Sequence, residues 1–97
     1  MDFNELFSEE AEADVSKILH DAPSEESAIR FLDSLKAIVE LTKTYPKAFQ
    51  IQYKDVRVVV FQKLPFKLVY KIIEPDIVYI IAIVYQKEDA GSWQNRV

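Results

Sequence analysis

Cysteine is absent from this chain, so neither a disulfide framework nor a thiolate metal site can form. Histidine occurs once, as His20, and a lone imidazole leaves a transition metal without a ligand set. Glycine also occurs once, as Gly91, which excludes a glycine-rich loop cradling phosphates. Long apolar runs are missing too. The longest, Ile77 to Tyr85, falls well short of the roughly 20 residues that cross a bilayer as a helix. The opening MDFNELFSEE has neither the basic stretch nor the apolar stretch of a signal peptide. These absences predict a soluble cytoplasmic protein with no metal, no cofactor and no membrane partner.

What is present predicts one domain over residues 1–97, large enough to bury a core without staples. The net charge of −4 is unevenly spread: residues 1–26 carry nine acids against Lys17, whereas Lys43 to Lys71 holds seven bases against Asp55. Two readings follow. Either the lysines solvate an exposed sheet face, or the basic half faces a polyanion.

The first half has helical periodicity. Phe3 to Phe7 predicts a short opening strand. Ser8 is an N-cap candidate, with Glu9 and Glu10 where the helix dipole favours negative charge. Ala11, Val15, Ile18, Leu19 and Ala22 then recur at helical spacing until Pro23 breaks the run. Ser24 caps a second helix, whose apolar stripe runs through Ala28, Leu32, Leu35, Ile38 and Val39. Tyr45-Pro46 ends it. Asp33 and Glu40, on its polar side, read as solvated, and His20 sits where a cation suits the first helix's end.

The second half is a run of β-rich segments. Lys47 to Asp55 reads as a loop or an irregular extended stretch. Val56–Gln62, Phe66–Ile73 and Ile77–Tyr85 read as strands, separated by Lys63-Leu64 and by Glu74-Pro75-Asp76. The expected architecture is α+β: an N-terminal helical hairpin packed on one face of an antiparallel sheet of three to four strands. Apolar residues point both ways along these strands, so the face away from the helices either meets a partner or lies under the polar tail from Gln86 to Val97.

Four segments, in order, resemble the RelE/ParE toxin superfamily, the plasmid stabilisation proteins. Phe7-Ser8-Glu9-Glu10-Ala11-Glu12-Ala13-Asp14-Val15 resembles the superfamily's S-x-x-A-x-x-D-L entry into its first helix. Ala28 to Leu35, running on to Tyr45-Pro46, is similar to its second helix. Val56-Arg57 followed by Leu64-Pro65-Phe66-Lys67-Leu68-Val69-Tyr70 is similar to its strand pair. Ile80 to Tyr85 and then Trp93 resemble its ending.

The resemblance implies a toxin of a type II toxin–antitoxin module, bound and neutralised by a cognate antitoxin. Its RelE-like branch cuts messenger RNA on the ribosome; its ParE-like branch acts on DNA gyrase by protein contact. Several positions favour the second branch. The superfamily's histidine after the last strand is Tyr85 here, its arginine is Glu88 beside Asp89, and its proline is Ala90. Nuclease members carry lysines where this chain has Val58 and Val60, and their terminal tyrosine falls near Trp93, which cannot serve as an acid. A basic position survives as Lys67.

RNA cleavage needs a base for the 2′-hydroxyl, cations at the phosphate and an acid for the leaving oxygen. The catalytic candidates are Arg57, Lys67 and Tyr85, with Arg57 and Lys67 useful together only if they share a face. The wider set of binding candidates is Arg57, Lys63, Lys67, Tyr70, Lys87, Trp93 and Arg96. An ordinary tyrosine titrates near 10, so Tyr70 and Tyr85 need help to move protons at neutral pH. Three functional readings remain: a ParE-like toxin working by protein contact, a ribosome-dependent endonuclease, or a non-toxic homologue acting as a binding module or homodimer. The acidic balance favours the last over a nuclease.

Overall fold

The computed structural model describes residues 2–89 and 91–97. Its elements are β1 (Asn4–Phe7), α1 (Glu9–Asp21), α2 (Glu25–Thr44), β2 (Ile51–Tyr53), β3 (Val56–Val60), β4 (Phe66–Ile73), β5 (Ile77–Tyr85) and α3 (Gly91–Gln94). Both long helices start as their caps dictate. The Ser8 hydroxyl accepts from the Ala11 N–H at 3.0 Å, and that of Ser24 from the Ser27 N–H at 3.1 Å. The Tyr45 N–H closes the end of α2 on Leu41 O at 2.9 Å.

The α+β architecture is as expected, and the sheet is larger. Five strands lie in the order β1-β5-β4-β3-β2. β1 runs parallel to β5, so the sheet is mixed; the remaining pairs are antiparallel. The parallel pair arises because α1 and α2 carry the chain across the sheet before β2 to β5 are laid down, and β1 then finds β5. The fifth strand, β2, lies within the stretch read as a loop or irregular extended segment, and it is short and irregular in register. It turns directly into β3 through Lys54, whose φ of 53° is left-handed.

A bulge in β5 explains why that strand is apolar at both parities. Ile80 opposes Tyr70 and Ala82 opposes Val69, which leaves Ile81 without an opposite residue. The side-chain alternation shifts there. Val78, Ile80 and Ile83 pack toward the helices, while Ile81, Ala82 and Val84 pack on the far face.

The main core lies between the helices and the sheet. Phe31 of α2 stacks on Phe61 (centroids 5.9 Å apart) and meets Phe66 edge-on at 5.3 Å. Ala11, Leu35, Val59, Leu68, Tyr70 and Ile80 complete its centre. The second face has its own smaller core. Trp93 of α3 sits over Val56, Val69, Ile81, Ala82 and Val84, with Tyr53, Tyr79 and Val97 at its margin. The tail therefore covers much of the apolar face that two helices leave open.

Candidate functional site

β3 and β4 bring the candidate cations close in the sheet and then separate them. Arg57 stands opposite Tyr70, whereas Lys67 stands opposite Val60. The offset is odd, so Arg57 points to the helix side and Lys67 to the far side. No common phosphate site can be built from them.

Each is also engaged. The Arg57 guanidinium donates to Phe49 O at 2.6 Å and to Lys47 O at 3.2 Å. Beside it, the Tyr70 hydroxyl donates to Pro46 O at 2.7 Å. Together they tie residues 46–49 to β3 and β4, replacing the backbone partners that an irregular stretch lacks. Tyr70 is wholly buried, and burial pushes its phenol up from 10.0 to about 12, against a lowering pull from Arg57. A phenol so held is not a base at neutral pH.

On the far face, the Lys67 ammonium donates to Gln86 O at 3.3 Å and Glu88 O at 3.1 Å, closing the turn after β5. Val58 and Val60 share this face with Lys67, and Trp93 packs on it. Trp93 is 2% exposed, meets Tyr53 edge-on at 6.1 Å, and buries an indole N–H that has no partner among the described residues. At the positions where the resemblance would put lysines the face is thus aliphatic: Val58 packs against the Trp93 cluster, while Val60 stays 49% exposed.

Arg96 is drawn into the fold by Asp14. Its guanidinium donates to both carboxylate oxygens, at 2.8 and 3.3 Å, and to Ile81 O at 3.0 Å, with Glu10 at 3.8 Å. The Asp14 hydrogen bonds raise the Arg96 pKa further, in spite of burial. Asp14 was not a candidate from sequence. Its only signal was its place in the S-x-x-A-x-x-D segment, which identifies a residue type without its use.

The remaining candidates face outward. Tyr85 is 41% exposed, with its ring 4.9 Å from that of Phe66. It borders an open groove of about 200 Å³ between the α1–α2 turn and the β3–β4 turn, lined also by Ile18, Asp21, Arg30, Phe31 and Pro65. Lys63 occupies the β3–β4 turn at a left-handed φ of 65°, and Lys87 is exposed after β5. Among the described residues, no three His, Cys, Asp or Glu side chains gather as a metal site. Among the described residues, no helix is long and apolar enough to cross a membrane.

Two helices on a five-stranded mixed sheet, with a short C-terminal segment on its far face, define a small α+β domain. Within that class the chain belongs to the family described as the ParE toxin of the type II toxin-antitoxin system parDE, whose model matches residues 6–90. It is a type II toxin–antitoxin toxin. Among solved structures it is similar to one titled "Chromosomal ParDE TA system from P. aeruginosa", with a TM-score of 0.60 and 17% identity over 86% of this chain and 95% of that one. That likeness supports the fold. No curated protein matches the chain.

Proposed function

We propose that this toxin acts in the cytoplasm by protein–protein contact, is neutralised by a separately encoded antitoxin, and has DNA gyrase as its target class. The observation that carries the reading is the divergence of Arg57 and Lys67, each spent on backbone carbonyls on opposite faces of the sheet. The far face adds to it, since Trp93 packs there on aliphatic side chains and brings no proton-transferring group to Lys67. On this reading Arg57, Lys67, Tyr70, Trp93 and Arg96 shape the binding surface from within. Lys63, Lys87 and Tyr85 meet the target directly.

Expression of the chain tests it. Growth arrest, relieved by co-expressing the adjacent reading frame, is the expected result, together with inhibition of gyrase supercoiling by the purified protein. Ribosome-dependent cuts in messenger RNA, mapped by primer extension and lost in Lys67→Ala, would overturn the proposal in favour of nuclease action.

A further inference from the structure

The outer edge of β1 is open. Asn4 and Ser8 send their N–H groups to Asp76 O at 2.7 Å and Ile80 O at 3.0 Å, so the parallel ladder uses the even-numbered residues. The N–H and C=O groups of Glu5 and Phe7 therefore point away from β5. Among the described residues no further strand takes them; the Glu5 carboxylate leans on its own N–H, a local contact that an incoming strand can displace. On the other side of the sheet β2 is only three residues long and carries a register shift. β1 is thus the better template for an added strand.

Beside this edge run two open depressions that share Glu40. One, of about 380 Å³, has an apolar floor of Phe7, Leu32, Leu35 and Val39. The other, of about 610 Å³, lies along Asp2, Phe3 and Asn4. Leu32 is 43% exposed, and Leu6, whose side chain lies on the sheet's other face, is 53% exposed. The rim is acidic: Asp2, Glu5, Asp33 and Glu40 stand against Lys36 and Lys43. Lys43 is already shared between Glu5 (2.7 Å) and Glu40 (3.3 Å), and this bridge holds the Glu5 carboxyl below its usual range. The rim is therefore negative at neutral pH.

Resting on the reading that an antitoxin binds this chain, we infer that the β1 edge and its acidic groove receive an extended, lysine- or arginine-bearing segment of that partner, paired as a sixth strand. Backbone pairing to Glu5 and Phe7 supplies the register. An apolar side chain at the centre of the segment fills the floor at Leu32 and Val39, and flanking bases meet Asp33 and Glu40. Apolar residues at the alternate positions cover Leu6. Charge decides against a second copy of this chain in the same place. Self-pairing of β1 would bring two acidic rims together.

The test uses the full chain, labelled with nitrogen-15, and the eight-residue peptide Val-Lys-Val-Val-Val-Lys-Val-Val, which puts a central valine flanked by lysines on the groove face and valines on the face toward Leu6. Amide exchange at Glu5 and Phe7 should slow on peptide addition. The glutamate counterpart and an N-methylated lysine peptide should leave it unchanged. Reversing two exposed charges, Asp33→Lys with Glu40→Lys, should weaken the peptide about tenfold, the effect of two exposed ion pairs. Equal binding of the glutamate peptide, or binding without protection at β1, overturns the inference. Protection that rises with protein concentration alone overturns it too, since that assigns the edge to a second copy. Growth arrest relieved by the neighbouring reading frame while the β1 amides exchange freely in the complex keeps the toxin reading and removes this one. Protection by the lysine peptide in a chain that causes no arrest does the reverse.

Discussion

The Asp14 carboxylate and the Arg96 guanidinium, 82 residues apart in sequence, meet at 2.8 Å and jointly replace a missing strand. β1 ends at Phe7, opposite Ile80, while β5 runs on to Tyr85. Beyond that point no strand flanks the outer edge of β5 among the described residues, and the Ser8 hydroxyl reaches only to Ile81 O, at 3.3 Å. Asp14 accepts from the Ile83 N–H at 3.1 Å, and Arg96 donates to Ile81 O at 3.0 Å, the carbonyl of the bulged residue. The pair thus satisfies the strand and pins the C-terminal segment that carries Trp93.

Arg96→Ala is expected to cost about 2–3 kcal/mol, because it leaves a carboxylate only 17% exposed without its cation. Asp14→Asn is expected to cost less. Its amide oxygen still accepts from Ile83 N–H, so the strand edge stays satisfied. Urea denaturation of the two variants gives the ranking, and the reverse order would place the importance in the carboxylate's charge rather than in the guanidinium's reach to Ile81.

Trp93 is the chain's single tryptophan, so its emission reports the cover on the far face. Arg96→Ala should shift that emission to the red. Trp93→Ala should cost about 3–5 kcal/mol. Trp93→Phe should stay within about 1.5 kcal/mol of the parent, since the lost volume is offset by removal of a buried N–H that has no partner among the described residues. Thermal unfolding of the two variants decides it. Similar losses in both would mean that the indole N–H is satisfied in solution.

Much of this fold was legible because its signals are local. Ser8 and Ser24 announce helix starts through hydrogen bonds three residues away, and Pro23 and Tyr45-Pro46 announce the breaks. β3, β4 and β5 follow one another with short turns, so neighbours in sequence are neighbours in the sheet. The parallel pairing of β1 with β5 carries no such signal, because Asn4 meets Ile77 across the whole chain. Nor does the bulge at Ile81, which can be seen only against Tyr70 and Val69. The candidate site fared likewise. Residue type marked Arg57, Lys67 and Tyr70 as chemically able, but their use depends on carbonyls of Phe49, Glu88 and Pro46 that approach only after the loops fold.

Tyr70 gives the protein an alkaline limit. The phenol is neutral when protonated, and its pKa rises from 10.0 to about 12 on folding. Below pH 10 both states hold the proton and the full stability is present. Between pH 10 and 12 the unfolded chain has lost the proton and the folded one has not, so stability falls as pH rises, by roughly 2–3 kcal/mol in all. Tyr70→Phe should cost about 1 kcal/mol at neutral pH for the lost bond to Pro46 O, and should flatten this part of the decline. Urea midpoints of both proteins from pH 8 to 12 test it. Parallel curves would show that the phenol titrates equally in the two states.

Arg57 and Lys67 separate contact from catalysis most sharply. In a nuclease, removing a cation at the scissile phosphate costs on the order of a hundredfold or more in rate, because it stabilises charge that develops only in the transition state. Here the same side chains bind carbonyls that are present before any ligand arrives. Arg57→Gln should loosen residues 46–49, and Lys67→Met should loosen the turn at Gln86 and Glu88. Each should cost about 1–2 kcal/mol of stability. Growth arrest, with expression matched by immunoblot, should stay within about twofold of the parent, since a loss of that size leaves most of a domain with a typical 5–15 kcal/mol of stability folded. A collapse of toxicity in a variant that unfolds at nearly the parent's urea midpoint, together with messenger RNA cut by the parent and left intact by the variant, would mean that the cation acts on a substrate. The contact mechanism would then give way to chemistry at that residue.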